Sequence, residues 1–266
     1  MKIPCKAKNR MVFPGAGRLK SCELASDAVI GGIRFGAGSI VGFHEDGHLW
    51  RCLLSRDTNM GPVPCMAHTE VEFYRNGEIS FCTLSEDVML GSVSCCAGAF
   101  TVFHENGVVF RTETSEVISI QGIEIPCGAE ICLFPSGRLS SFDTGDSVVT
   151  IGGLKLDAHR RTWLDEEGGI LAGVPAEKCI VQDVPCSGAH TVWFHRNRTL
   201  AGAMLACRKE MQGVLLRSES IVLFHDNRQL WQGELHERTK VQGRSLAAGM
   251  RVVFDRDGVL CLLEES

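Results

Sequence analysis

The chain has one tyrosine in 266 residues, no long apolar run and no excess of positive charge. Each absence removes a class of protein. No stretch reaches the roughly 18 apolar residues that a membrane-crossing helix needs, so no membrane partner is expected. The opening residues, MKIPCKAKNR, lack the apolar core of a secretory leader, which points to a cytoplasmic protein. Lys and Arg total 27 against 32 Asp and Glu, a net charge of −5, so the basic patch that nucleic acid requires is missing. No Cys-x-x-Cys pair occurs among the 13 cysteines, which argues against structural zinc. In a chain without a leader these cysteines read as free, reduced thiols. There is no phosphate loop, nucleophile elbow or His-Glu-x-x-His, so no enzyme class is named by motif and no cofactor or metal is called for. No segment shows a 3.6-residue apolar period between caps, so little or no helix is expected.

What is present is a period. Phe13, Phe43, Phe73 and Phe103 recur every 30 residues, as do Gly17, Gly47, Gly77 and Gly107. Leu19, Leu49, Ile79 and Val109 keep the same step, and so do Cys22, Cys52, Cys82 and Asp27, Asp57, Asp87. Phe134 marks a fifth repeat with one residue fewer in its turn, and Phe194, Phe224 and Phe254 continue the series. The repeats are about nine in number and run 3–32, 33–62, 63–92, 93–122, 123–153, 154–183, 184–213, 214–243 and 244–266. The sixth is degenerate: Trp163 or Leu164 stands where Phe belongs. A fixed period of this length is the mark of a repeat architecture in one domain.

One repeat, residues 63–92, shows the local fold. Val71 and Phe73 alternate with Glu70 and Glu72, a half-buried strand. Asn76-Gly77 supplies the positive φ of a tight turn. A second strand follows, then Ser85-Glu86-Asp87 as another turn and a short return strand. The expectation is an all-β chain of stacked hairpins forming an antiparallel, curled or rolled sheet. The alternative is a parallel β-solenoid, which the cysteine ladders would suit. The segments FHEDGHL, FYRNGEI, FHENGVV and FDRDGVL resemble the hairpin of MORN-like repeats, though the period here is longer. That resemblance implies antiparallel sheets built from repeated hairpins.

Two groups of residues could carry chemistry. His44, His104, His195 and His225 follow the repeat Phe or its equivalent and form a row at the hairpin lip. Such a row could bind an anionic ligand or metal, or each ring could bond a backbone carbonyl. In the sixth repeat, Asp157, His159, Arg160, Arg161, Asp165 and Glu166 gather charge around Trp163. A carboxylate beside His could do acid–base work, and paired Arg could hold an anion; a solvated loop would look the same. The cysteine positions read as packing, since Phe35, Leu216 and Leu246 replace Cys5, Cys65, Cys95 and Cys186. The functional expectation is a binding or scaffold protein that presents an extended β surface to a protein partner. The alternative is an enzyme or small-ligand binder with a pocket near the sixth repeat. Self-association through uncapped sheet edges is also expected.

Overall fold

A computed structural model describes residues 3–13, 18–143, 147–157 and 159–261. It divides into two compact units, Met1–Leu139 and Ser140–Ser266. Among the described residues the chain is all β, with no helix. None of those helices that could cross a membrane is present, therefore, among the same residues.

Among the described residues the repeats are built from two kinds of hairpin, one long and one short. In the third repeat, Glu70–Phe73 pairs with Ile79–Thr83 as a long hairpin. Val88–Leu90 then pairs with Val93–Cys95 as a short one, and the expected repeat boundary cuts this hairpin at its turn. Successive long hairpins pair side by side: Phe81 faces Val102, Arg51 faces Glu72, and Gly202 faces Leu223. Among the described residues 18 long strands pair in antiparallel fashion. Every strand pairing among the described residues is antiparallel, so the parallel solenoid is ruled out. The cause is local: both kinds of turn reverse the chain within a few residues, and parallel neighbours need a long crossover.

The long-hairpin turn works as its Asn-Gly and Asp-Gly sequences predict. The His44 N–H donates to the His48 carbonyl (2.9 Å) and the Gly47 N–H to the His44 carbonyl (3.0 Å). This is a three-residue loop whose last residue needs positive φ. Gly47 has φ +93° and Gly77 +90°, while Arg198 (+66°) and Arg228 (+71°) adopt the same conformation without being glycine. Gly17 lies outside the described residues. The short hairpin uses a two-residue turn; both φ are positive at Gly31-Gly32 and Gln121-Gly122, whereas at Gly61-Pro62 and Gly91-Ser92 only the first is. The expected Asp87 turn is built differently from a self-bonded one. Its Oδ1 accepts the Ala97 N–H across the base of the short hairpin (2.7 Å), as Asp57 does for Ala67 (2.7 Å) and Asp27 for Ala37 (2.9 Å).

The fifth repeat corrects the sequence reading. Leu133, not Phe134, occupies the repeat-Phe position: it is buried, and the Phe134 N–H closes the turn onto Arg138 as His104 does onto Val108. The 30-residue step therefore holds from Phe103 to Leu133, and the turn has its full length. The extra residue falls between Phe142 and Val149, where the long strand hands over to the next short hairpin. The sixth repeat has both hairpins, with Leu164 buried at the Phe position and Trp163 exposed beside it.

Side chains that meet in the core stand 17 residues apart. Cys5 meets Cys22, Cys65 meets Cys82, and Cys95 meets Thr112. In the second unit Leu156 covers Gly173 and Leu216 covers Gly233 so closely that a Cβ on either glycine would fall 2.8 Å from a leucine methyl. Each pair fills one slot between a short hairpin and the sheet, so a large member demands a small partner. The cysteines of these slots are thus core packing, as expected, with one correction. Cys5 and Cys22, Cα atoms 5.6 Å apart, are joined as a disulfide, because the 17-residue register sets them at bridging distance. The other 11 cysteines are free.

Candidate functional site

The histidine row lies between hairpin turns. His104 Nε2 meets the Leu133 carbonyl, His195 the Phe224 carbonyl and His225 the Phe254 carbonyl, each at 2.9 Å. Tyr74 holds the same place, its hydroxyl donating to the Phe103 carbonyl (2.8 Å). A second rung runs alongside: the side-chain amides of Asn76, Asn106, Asn197 and Asn227 donate to carbonyls 29 residues on, at 2.7–2.9 Å. Each imidazole is therefore part of the joint between one turn and the next. Aromatic rings cover three of them, Trp50 on His44, Phe110 on His104 and Trp231 on His225. His44 departs from the row. Its Nε2 is buried with no hydrogen-bond partner, and Asp46 replaces the Asn of the parallel rung.

Two of the charged residues of the sixth repeat close turns at opposite ends of its long hairpin. Asp157 closes the loop before the long hairpin: its Oδ1 accepts the His159 N–H (3.2 Å), and the Arg160 N–H reaches its carbonyl. Asp165 closes the turn at the other end, taking the Gly169 N–H on Oδ1 (2.6 Å). Between these ends runs the strand Thr162–Leu164, about 10 Å long at the usual rise. His159, Arg161 and Glu166 are each engaged in an interaction. Arg160 and Glu166 are exposed. Trp163 points outward from the sheet instead, 44% exposed.

That outward face is the first feature of interest. Cross-strand partners share a face of the sheet. In the second unit one such row reads Trp163, Ala172, Trp193, Gly202, Leu223, Gln232, Val253. It carries no charge. Leu223 and Trp193 close over Gly202, where a Cβ would lie 2.7 Å from one and 3.2 Å from the other. The same row in the first unit reads Gly42, Arg51, Glu72, Phe81, Val102, Arg111, and its arginines pair with Glu70 and Glu130.

The second feature is a groove between the short-hairpin turns and the long-hairpin turns. In the second unit it is headed by Gly152 and Gly153, floored by Gly168, Gly169 and Ile170, and walled by Phe194 and Arg198, with a volume of about 660 Å³. In the first unit the groove at Gly91, Gly107, Val109, Leu133 and Gly137 measures about 380 Å³. A further copy, at Gln182, Leu200, Phe224 and Arg228, holds only about 70 Å³. One difference is a side chain, and the larger groove also extends along Lys155, Glu177 and Cys179. Gln182 enters its groove and bonds both backbone groups at the bottom, donating to the Arg198 carbonyl (2.8 Å) and accepting the Leu200 N–H (3.0 Å). Gln242 does the same with Gly258 (2.7 Å) and Leu260 (2.9 Å), and Gln121 accepts the Leu139 N–H (2.9 Å). Gly152 and Gly91 stand where these glutamines stand. Sequence reasoning missed them, although Gln182, Gln212 and Gln242 recur at the repeat step; Gln212 donates to the Gln229 side chain instead of the floor. The pocket does fall near the sixth repeat, but its polar walls are Arg198 and the Lys155–Glu177 ion pair (3.3 Å), not the residues of 157–167 singled out by charge.

Electrostatics at the cysteines follow from packing. Burial pushes the Cys95 and Cys186 thiols up to about 11. Burial also raises Cys52, and a hydrogen bond to Cys65, then burial, raises Cys82. These thiols stay protonated near neutrality and do not act as nucleophiles.

Comparison with known proteins adds no family. No family model and no curated protein matches the chain. Among solved structures, the crystal structure of TcdB2-TccC3-Cdc42 is similar at 11% identity, with a TM-score of 0.16. That likeness covers 94% of this chain but only 13% of the other, and it carries no weight for fold or function.

Proposed function

We propose that the chain is a binding module whose second unit presents the uncharged row of Trp163, Trp193, Leu223 and Val253 to a protein partner with an apolar, weakly charged surface. What supports this is the exposure of two tryptophans, 44% and 38%, in register across one strand of a sheet whose interior already has its own core. Rigid aromatic groups of this kind supply much of the energy at protein interfaces. A contiguous exposed apolar patch marks a contact surface more often than chance. Replacement of Trp163 and Trp193 by Glu places charge on the row without touching the core. A photo-crosslinker at Ala172, between them, should capture a partner stoichiometrically in the native cell, and the paired Glu variant should lose it. Equal capture from a crosslinker at Phe81, in the first unit's charged row, would refute the assignment.

A further inference from the structure

The copies of the groove differ in what meets the floor. At the bottom of each, the long-hairpin turn offers a carbonyl and, two residues later, an N–H. In the filled copies these two groups are met by one primary carboxamide, that of Gln182 or Gln242, whose NH2 donates to the carbonyl and whose oxygen accepts the N–H. The copy headed by Gly152 keeps the backbone of the filled ones. Gly152 has φ +57°, against +49° for Gln182, and Gly168 has φ +82° where Arg198 has +66°. The Asp165 N–H still closes onto the Gly169 carbonyl at 2.9 Å, as the His195 N–H closes onto Thr199 at 2.9 Å. The side chain at the head of the groove changes, and the space there is about 660 Å³ where the Gln182 copy has about 70 Å³.

We propose that the Gly152 groove is a binding site for a primary carboxamide supplied from outside the repeat. Its oxygen takes the Ile170 N–H and its NH2 gives a hydrogen bond to the Gly168 carbonyl, the places that Leu200 and Arg198 hold around Gln182. Ile170, Phe194 and Val181 line the walls and suit the methylenes that lead to such a group. A carboxylate of the same shape fails on one side, since it would set an oxygen against the Gly168 carbonyl with no proton between them. The site is distinct from the outward tryptophan row, and its occupancy is read at different residues, so either proposal can fail alone. Glutamine or asparagine side chains of a peptide, and free small amides, share this chemistry.

The test is a titration of the full, 15N-labelled chain, followed at the Ile170 amide. Three probes are used: a blocked Ala-Gln-Ala peptide with a methylamide end, its Ala-Glu-Ala counterpart, and butyramide. Saturable downfield shifts of the Ile170 amide are expected with the glutamine peptide and with butyramide. Binding of the glutamate peptide should be at least tenfold weaker. A glutamine peptide that binds more tightly than butyramide assigns the site to polypeptide ligands, and equal affinity assigns it to free amides. In the variant Gly152→Gln the new side chain should occupy the floor as Gln182 does, and all probe shifts at Ile170 should vanish while the rest of the spectrum is kept. The Val109 amide, in the smaller groove headed by Gly91, provides an internal comparison. The proposal is overturned if neither amide shifts Ile170, or if the glutamate peptide binds as well as the glutamine peptide through Arg198. Persistence of the shift in a folded Gly152→Gln protein would also overturn it.

Discussion

The two units share one repeat and differ in what they do with it. In the first, the core slots hold Cys52, Cys65, Cys82 and Cys95, and the outward row is ionic. In the second, the slots hold leucine against glycine, Cys186 is the thiol retained in that core cluster, and the outward row is aromatic and uncharged. The turns, rungs and registers do not change with this. The lesson is that backbone-to-side-chain bonds at the turns carry the repeat, which leaves the slot pairs and the outer face free to diverge.

The largest effect is expected where a slot is overfilled. Gly233→Ala pushes a methyl to within 2.8 Å of Leu216 and should cost about 1–3 kcal/mol in urea unfolding. Adding Leu216→Cys recreates the pairing of Cys186 with Ala203 and should recover most of the loss. If the two changes simply add, the slot rule is broken. A smaller effect belongs to the rungs. Asn106→Ala removes the bond to the Pro135 carbonyl (2.8 Å) and one to the Val108 N–H (3.2 Å), for about 0.5–1.5 kcal/mol. Asp46→Asn should move stability the opposite way by a similar or smaller amount, because it supplies the donor that repeat lacks. Thermal melts of the two variants that shift in the same direction would count against the rung assignment.

The third prediction leaves stability at neutral pH unchanged. The thiols raised in the fold remain protonated while the unfolded chain ionises near 8.5. Their contribution is complete below about pH 8.5 and is lost as pH rises toward 11. With Cys52, Cys82 and Cys95 raised in the first unit and Cys186 in the second, alkaline loosening should begin in the first. Alkylation read by peptide mass spectrometry should mark exposed Cys127, Cys207 and Cys261 at pH 7. It should then mark first-unit cysteines before Cys186 as pH is raised. The reverse order would sink the comparison.

Much of this fold was legible in the sequence, and the reasons differ by feature. The Asn-Gly turns and the 30-residue step are local and strict, so the all-β hairpin repeat could be read directly. Leu133 and Phe134 are both large and apolar, and only the hydrogen bond from Phe134 to Arg138 decides which one faces inward. The histidine row was visible as a position, yet its role depends on a carbonyl 29 residues away. Asp157 and Asp165 are close in sequence, but the strand Thr162–Leu164 lies between them. The Gly152 groove was invisible because it is defined by a missing side chain, which has meaning only once Gln182 is seen in place.

The short-hairpin turn has a consequence beyond this site. Its first residue adopts the same backbone angle whether it is glycine or glutamine, +57° at Gly152 and +55° at Gln121. A single codon change can therefore shutter or unshutter a recess without disturbing the scaffold around it. An array of such repeats is in effect a row of sockets, and lineages that vary this one residue could rewire which sockets are live while inheriting the same frame.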